Sequence, residues 1–193
     1  MVSNPVQTAI HLDDFLQAYA ESPFELINGE RILLVPGVAS HITTIRAIMR
    51  LLDAYVRENT LGQVFTEAPF VLEDKPNWVK GSRVPDVMFY SQVRFDAYTE
   101  KMPDWKAKPF ILVPDIAIEV VSPNDSYSQV QGKARLYLED GVQLVWIVDP
   151  QQETVSIHRK GTSMVETLST DDTITADPVL PKFSATVADF FTV

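Results

Sequence analysis

Cysteine is absent from the sequence, which excludes a disulfide framework, a thiolate metal site and catalysis by a cysteine nucleophile. Its absence fits a reducing compartment. Histidine is scarce, and His11, His41 and His158 show no metal-ligand spacing, so a zinc site built from them is not expected. No Lys or Arg precedes Arg31, so the charged start of a secretory signal is missing, and no apolar run approaches the ~18 residues of a membrane span. The expectation is a cytoplasmic protein without membrane attachment. Basic residues are also few, 16 Lys and Arg against 26 Asp and Glu for a net charge of −10, which argues against a general nucleic-acid coat protein.

What is present suits one domain spanning residues 1–193. The chain is 46% hydrophobic, without repeats or low-complexity tracts, and its thirteen prolines punctuate short segments instead of forming a linker. A short helix is expected near residues 8 to 20. Asn28-Gly29 in "FELINGERILLV" predicts a hairpin over 24 to 35. In "SHITTIRAIMRLLDAYVREN", Ile42, Ile45, Met49, Leu52 and Val56 recur at helical spacing, with Ser40 as the expected N-cap. Next come a strand "QVFTEAPFVL", a connection bearing Pro, Asn and Gly, and a strand "VPDVMFY". An irregular stretch of about two dozen residues follows, a length usually functional or mobile, and then a strand "DIAIEVV". Ser126 and Gln129 read as a capping box opening a helix that ends near Gly141, before the strand "VQLVWIVDP". A small meander and a C-terminal helical turn complete the chain.

Two carboxylates and one lysine stand out. In "DIAIEVV", Glu119 shares a strand face with Ala117 and Val121, where an unpaired charge would cost several kcal/mol. Asp86 in "VPDVMFY" poses the same problem one strand earlier. A hard divalent cation would relieve repulsion between them. Lys133 shares a helix stripe with Val130 and Tyr137 and can reach back toward the preceding strand. Asp, Glu and Lys around a metal suit phosphodiester hydrolysis. Each residue also has a plainer reading: strand carboxylates are commonly edge or turn residues, and a lysine on an amphipathic helix is commonly a solvated flank. The same holds for the net +3 between residues 75 and 110, an ordinary loop face or, with Trp78, Tyr98 and Trp105 among its charges, a surface for a nucleic-acid strand. Arg46, Arg50 and Arg57 read as a solvated helix face.

Together, "VPDVMFY", "PDIAIEVVSPND", the helix with Lys133 and "GVQLVWIVDP" resemble the PD-(D/E)XK nuclease superfamily, and within it a large bacterial family described as restriction endonucleases, mostly uncharacterised. The likeness runs from "FELINGE" to the C-terminal turn. It implies an α/β fold with a restriction-endonuclease-like core, in the order helix, three strands, helix, strand around a mixed sheet, plus an N-terminal hairpin and a C-terminal β extension. It further implies a Mg²⁺-dependent endonuclease acting on DNA, with Mn²⁺ able to substitute. Asp86 and Glu119 would bind the metal, aided by the backbone carbonyl of Val120. The family lysine two residues after the glutamate is Val121 here, so the resemblance makes Lys133 its migrated equivalent. Glu30 and His41 fall in matching segments as auxiliary candidates. A homodimer is expected, because cutting both strands of a duplex is simplest with two active sites. The alternative is a catalytically inactive member of the fold, acting as a dimeric interaction or regulatory module.

Overall fold

A computed structural model describes residues 9–123 and 125–192. Two compact units emerge, both discontinuous in sequence. The first comprises Met1–Pro36, Ala68–Val84 and Met102–Val113, the second Gly37–Glu67, Pro85–Lys101 and Pro114–Val193.

The first unit holds β1 (Ile10–His11), α1 (Leu12–Glu21), β2 (Phe24–Ile27), β3 (Glu30–Leu33), and, after a return of the chain, β5 (Phe70–Lys75) and β6 (Trp78–Arg83). The expected start of α1 at residue 8 lies outside the described residues. β2 and β3 form the predicted hairpin, turning through Asn28 (φ 52°) and Gly29 (φ 83°), the left-handed pair that a two-residue turn requires. β6 pairs with β1, β2 and β5. Leu12, Phe15, Phe24, Leu26, Val71 and Val79 form this unit's core.

The second unit carries α2 (Ala39–Asn59), β4 (Gly62–Thr66), β7 (Val87–Ser91), α3 (Gln92–Lys101), β8 (Ile116–Val120), α4 (Tyr127–Asp140), β9 (Leu144–Asp149), β10 (Thr154–Arg159), β11 (Val165–Leu168), β12 (Thr173–Ala176) and β13 (Leu180–Thr186). Six strands make one sheet in the order β11-β10-β9-β8-β7-β4, while β12 and β13 pair separately. Only the β8–β9 pair is parallel among the described strands, and α4 is its crossover. The sequence α2, β4, β7, β8, α4, β9 matches the expected core order, and the strands from β10 onward form the C-terminal extension. Val87, Phe89, Ile116, Ile118 and Trp146 face Ile45, Ile48, Leu52 and Val56 of α2 in the main core. Side chains alternate along a strand, so Met88, Ala117 and Glu119 turn to the opposite face. There α4 contributes the buried Ala134 and Tyr137.

Four local expectations are corrected. "QVFTEAPFVL" is two strands: Glu67 turns at φ 49° and Pro69 lacks a ladder donor, so β4 and β5 enter different sheets. The connection after it is the β5–β6 hairpin, turning at Asn77 (φ 64°). The irregular stretch contains α3 and a 3₁₀ turn over Trp105–Ala107. That helix hides in the sequence because only Phe95 and Tyr98 are buried along it, while Val93 is 81% exposed. Finally, α2 starts with Val38 as its N-cap and no side-chain cap bond. Ser40 lies in its first turn, where its carbonyl accepts the Thr43 hydroxyl, and Ile42 is exposed beyond the packed stripe.

Candidate active site

The residues of interest gather where β7 begins and β8 ends. Val87 pairs with Ile118, so the antiparallel register carries Asp86 alongside the Glu119–Val120 end of β8. One oxygen of Asp86, Oδ2, accepts the Val120 amide at 2.6 Å. The other, Oδ1, lies 3.3 Å from His41 Nε2. Asp86 is thereby oriented from two sides, by a neighbouring strand and by the first turn of α2.

His41 is the hub that the sequence undervalues. Its Nδ1 lies 3.4 Å from Ser122 Oγ, and the ring is largely buried. The hydrogen bond to Asp86 raises the imidazole pKa above its ordinary value; burial opposes this, and the charges of Asp86 and Glu119 with a hydrogen bond to the Val120 carbonyl reinforce it. Asp86, Ser122 and the Val120 carbonyl therefore adjoin this one ring, with the charge of Glu119 close by. Gly37 gives it room: a Cβ there would lie 2.5 Å from His41 Cδ2.

Glu119 is buried at 6% exposure in the centre of the sheet, and α4 neutralises it. Lys133 Nζ stands 2.8 Å from Oε2, while the Tyr137 hydroxyl donates to Oε1. Lys133 and Tyr137 are four residues apart, one helical turn, so both project onto the same strand. The Lys133 side chain is 36% exposed, whereas Tyr137 is only 1% exposed. A small cavity of about 20 Å³ lies against Glu119, Asp125, Gln129 and Lys133, room for one water molecule.

Asp86, Glu119, Val120, Lys133 and His41 thus come together in the second unit. Glu30 lies in the first unit, exposed at the start of β3. Tyr137 and Ser122 were missed as site residues. The position of Tyr137 one turn after Lys133 on the same stripe is the signal that could have found it; Ser122 had none. Another Pro-Asp, at Pro114-Asp115, has a structural role. Asp115 accepts the Ser91 amide at 2.8 Å and pairs with Arg94 Nη1 at 2.6 Å, tying the strand approach of β8 to α3.

As a donor set, two carboxylates and a main-chain carbonyl offer hard oxygen ligands. No cluster of three or more His, Asp or Glu side chains placed to hold a metal occurs among the described residues. A site of one or two carboxylates completed by waters and substrate phosphates needs no such cage, and Mg²⁺ is commonly held that way.

The sequence profile of the Uma2 family, described as "Putative restriction endonuclease", matches residues 12–188. The chain belongs to the Uma2 family. No curated protein matches it. The crystal structure of a putative nuclease belonging to DUF820, from Anabaena variabilis ATCC 29413, superposes with a TM-score of 0.75. At 23% identity it covers 94% of this chain and 97% of that one. That likeness speaks to the fold, and the fold is the nuclease-like α/β architecture expected. No helix of the Uma2 protein, among the described residues, is long and apolar enough to cross a membrane.

Proposed function

We propose that this Uma2 protein is a Mg²⁺-dependent endonuclease hydrolysing phosphodiester bonds of DNA, with Mn²⁺ able to replace Mg²⁺. The observation that carries the reading is the convergence of Asp86, Glu119 and Lys133 from three different elements on one end of the β7–β8 pair, in a chain of this family. Asp86, Glu119 and the Val120 carbonyl would hold the cation. A bound Mg²⁺ would supply Lewis-acid polarisation of a phosphoryl oxygen and a more acidic attacking water.

The chain's own residues do the positioning. The Val120 amide and His41 fix the Asp86 carboxylate, so its orientation is set before substrate arrives. Lys133 brings a cation whose partly exposed position lets it turn from Glu119 toward a phosphate or an attacking water. Charge that grows on phosphate oxygens in the transition state is stabilised best by donors already in place.

The test is cleavage of plasmid and oligonucleotide DNA with Mg²⁺ or Mn²⁺. Asp86→Asn and Glu119→Gln should abolish activity, and Lys133→Met should lower kcat by about 10²- to 10³-fold, each with an unchanged circular dichroism spectrum. A wild-type protein that cleaves no nucleic acid with either metal overturns the reading. In that case the inactive interaction module, which the net charge of −10 favours, becomes the better account. Recovery of a homodimer or stable protein partner, without DNA binding at low salt, would support it.

A further inference from the structure

Glu119 is held by two groups of very different mobility. Lys133 reaches Oε2 with an ammonium on a flexible, partly exposed chain. Tyr137 reaches Oε1 from a ring that is 1% exposed and packed under α4. An ammonium near the surface can exchange its carboxylate for water at little cost, whereas a hydroxyl buried away from solvent has no water to exchange for. Oε2 is therefore the exchangeable oxygen and Oε1 the retained one.

We propose that Tyr137 is a specificity-determining positioning residue that favours Mg²⁺ over Ca²⁺, by reserving one oxygen of Glu119 so that only the other is offered to a cation. The inference rests on the metal-dependent reading above and adds a residue to it. Ca²⁺ takes six to eight oxygens in flexible geometry and readily accepts both oxygens of one carboxylate, whereas Mg²⁺ demands a compact octahedron and retains its waters. A carboxylate limited to one oxygen penalises the larger ion more. Lys133 competes with either cation for the same Oε2 and so does not discriminate between them.

Calorimetric titration of Mg²⁺ and Ca²⁺ into the full chain without DNA separates these roles. Tyr137→Phe should raise the ratio of Ca²⁺ to Mg²⁺ affinity about tenfold, because the released oxygen suits Ca²⁺ coordination. Lys133→Met should tighten both ions and leave the ratio unchanged. A merely structural Tyr137 would weaken both ions equally, and an equal change or none in Tyr137→Phe overturns the proposal. If wild type binds Mg²⁺, such a failure leaves the metal-dependent reading standing; if wild type binds neither ion, both fall. Should Tyr137→Phe not fold, NMR of the wild type decides. The Tyr137 hydroxyl proton, assigned from its neighbours on α4, should persist at saturating Mg²⁺, and its disappearance on metal binding overturns the proposal.

Discussion

At the scale of single residues, two histidines in one unit, the half-buried His41 and the buried His158, respond to acid in opposite senses. The hydrogen bond to Asp86 holds the His41 pKa above its ordinary value. Its stabilising contribution is then complete below the unfolded value, about 6.5, and is lost as pH rises through the folded value. Urea unfolding in a chelator should show His41→Gln losing more stability relative to wild type at pH 6 than at pH 8.5. Equal losses at both pH values would contradict this assignment. His158 on β10 is buried opposite Val145 and Val165, and desolvation lowers its pKa. Its neutral form is the favoured one, so stability is present above pH about 6.5 and falls as acid protonates the unfolded chain preferentially. His158→Val should accordingly flatten the decline of stability between pH 7 and pH 5. An unaltered slope in that variant would exclude His158 as its source.

Among the elements, α4 matters most to the site, because both partners of Glu119 ride on it. Its start is secured by a reciprocal capping box: the Ser126 hydroxyl accepts the Gln129 amide, and Gln129 Oε1 accepts the Ser126 amide at 2.9 Å. Its end is closed by Gly141 at φ 118°, a conformation that side-chain-bearing residues rarely adopt. Ser126→Ala should cost about 1 kcal/mol, which in a chain of this size lowers Tm by about 2–4 °C. Thermal unfolding checks it, and an unchanged Tm would mean that tertiary packing alone holds the helix start. Both caps were legible in the sequence, as were the Asn28-Gly29 turn and the strand bearing Glu119. Each is written in local chemistry: an oxygen three residues before an amide, a glycine where φ must be positive, or a run of apolar residues. α3 escaped notice because its buried face is only Phe95 and Tyr98. The break between β4 and β5 depends on which sheet each half joins, a non-local matter. The pairing of Asp86 with Glu119 was legible from their two strands, but the place of His41 beside them was not, since no spacing in the sequence reports that α2 delivers an imidazole to the end of β8.

For the molecule as a whole, the question is how a chain of net charge −10 would approach a polyanion. The local basic excess between residues 75 and 110 offers less than its count suggests. Arg83 is buried and donates to the carbonyls of Leu26 and Ser82. Arg94 is tied to Asp115 and Lys108 to Asp104, while Lys75 and Lys106 lie over the rings of Trp78 and Trp105. Lys80 and Lys101 are among the exposed cations. Counterion release scales with the phosphates actually neutralised, about 0.9 in the slope of log K against log salt for each. Fluorescence anisotropy with a short duplex should therefore give a slope per chain of magnitude below about 4. A slope near 8 would require that exposed cations outside this stretch, such as Arg46 and Arg50 on α2, also neutralise phosphates, or that the partnered arginines and lysines exchange their protein contacts for phosphates. Because added Mg²⁺ would offset the negative charge of Asp86 and Glu119, affinity for a hydrolysis-resistant duplex at fixed ionic strength should rise on replacing Na⁺ with Mg²⁺. That rise should vanish in the Asp86→Asn, Glu119→Gln double variant, which separates a cation bound at the site from general screening of the acidic chain.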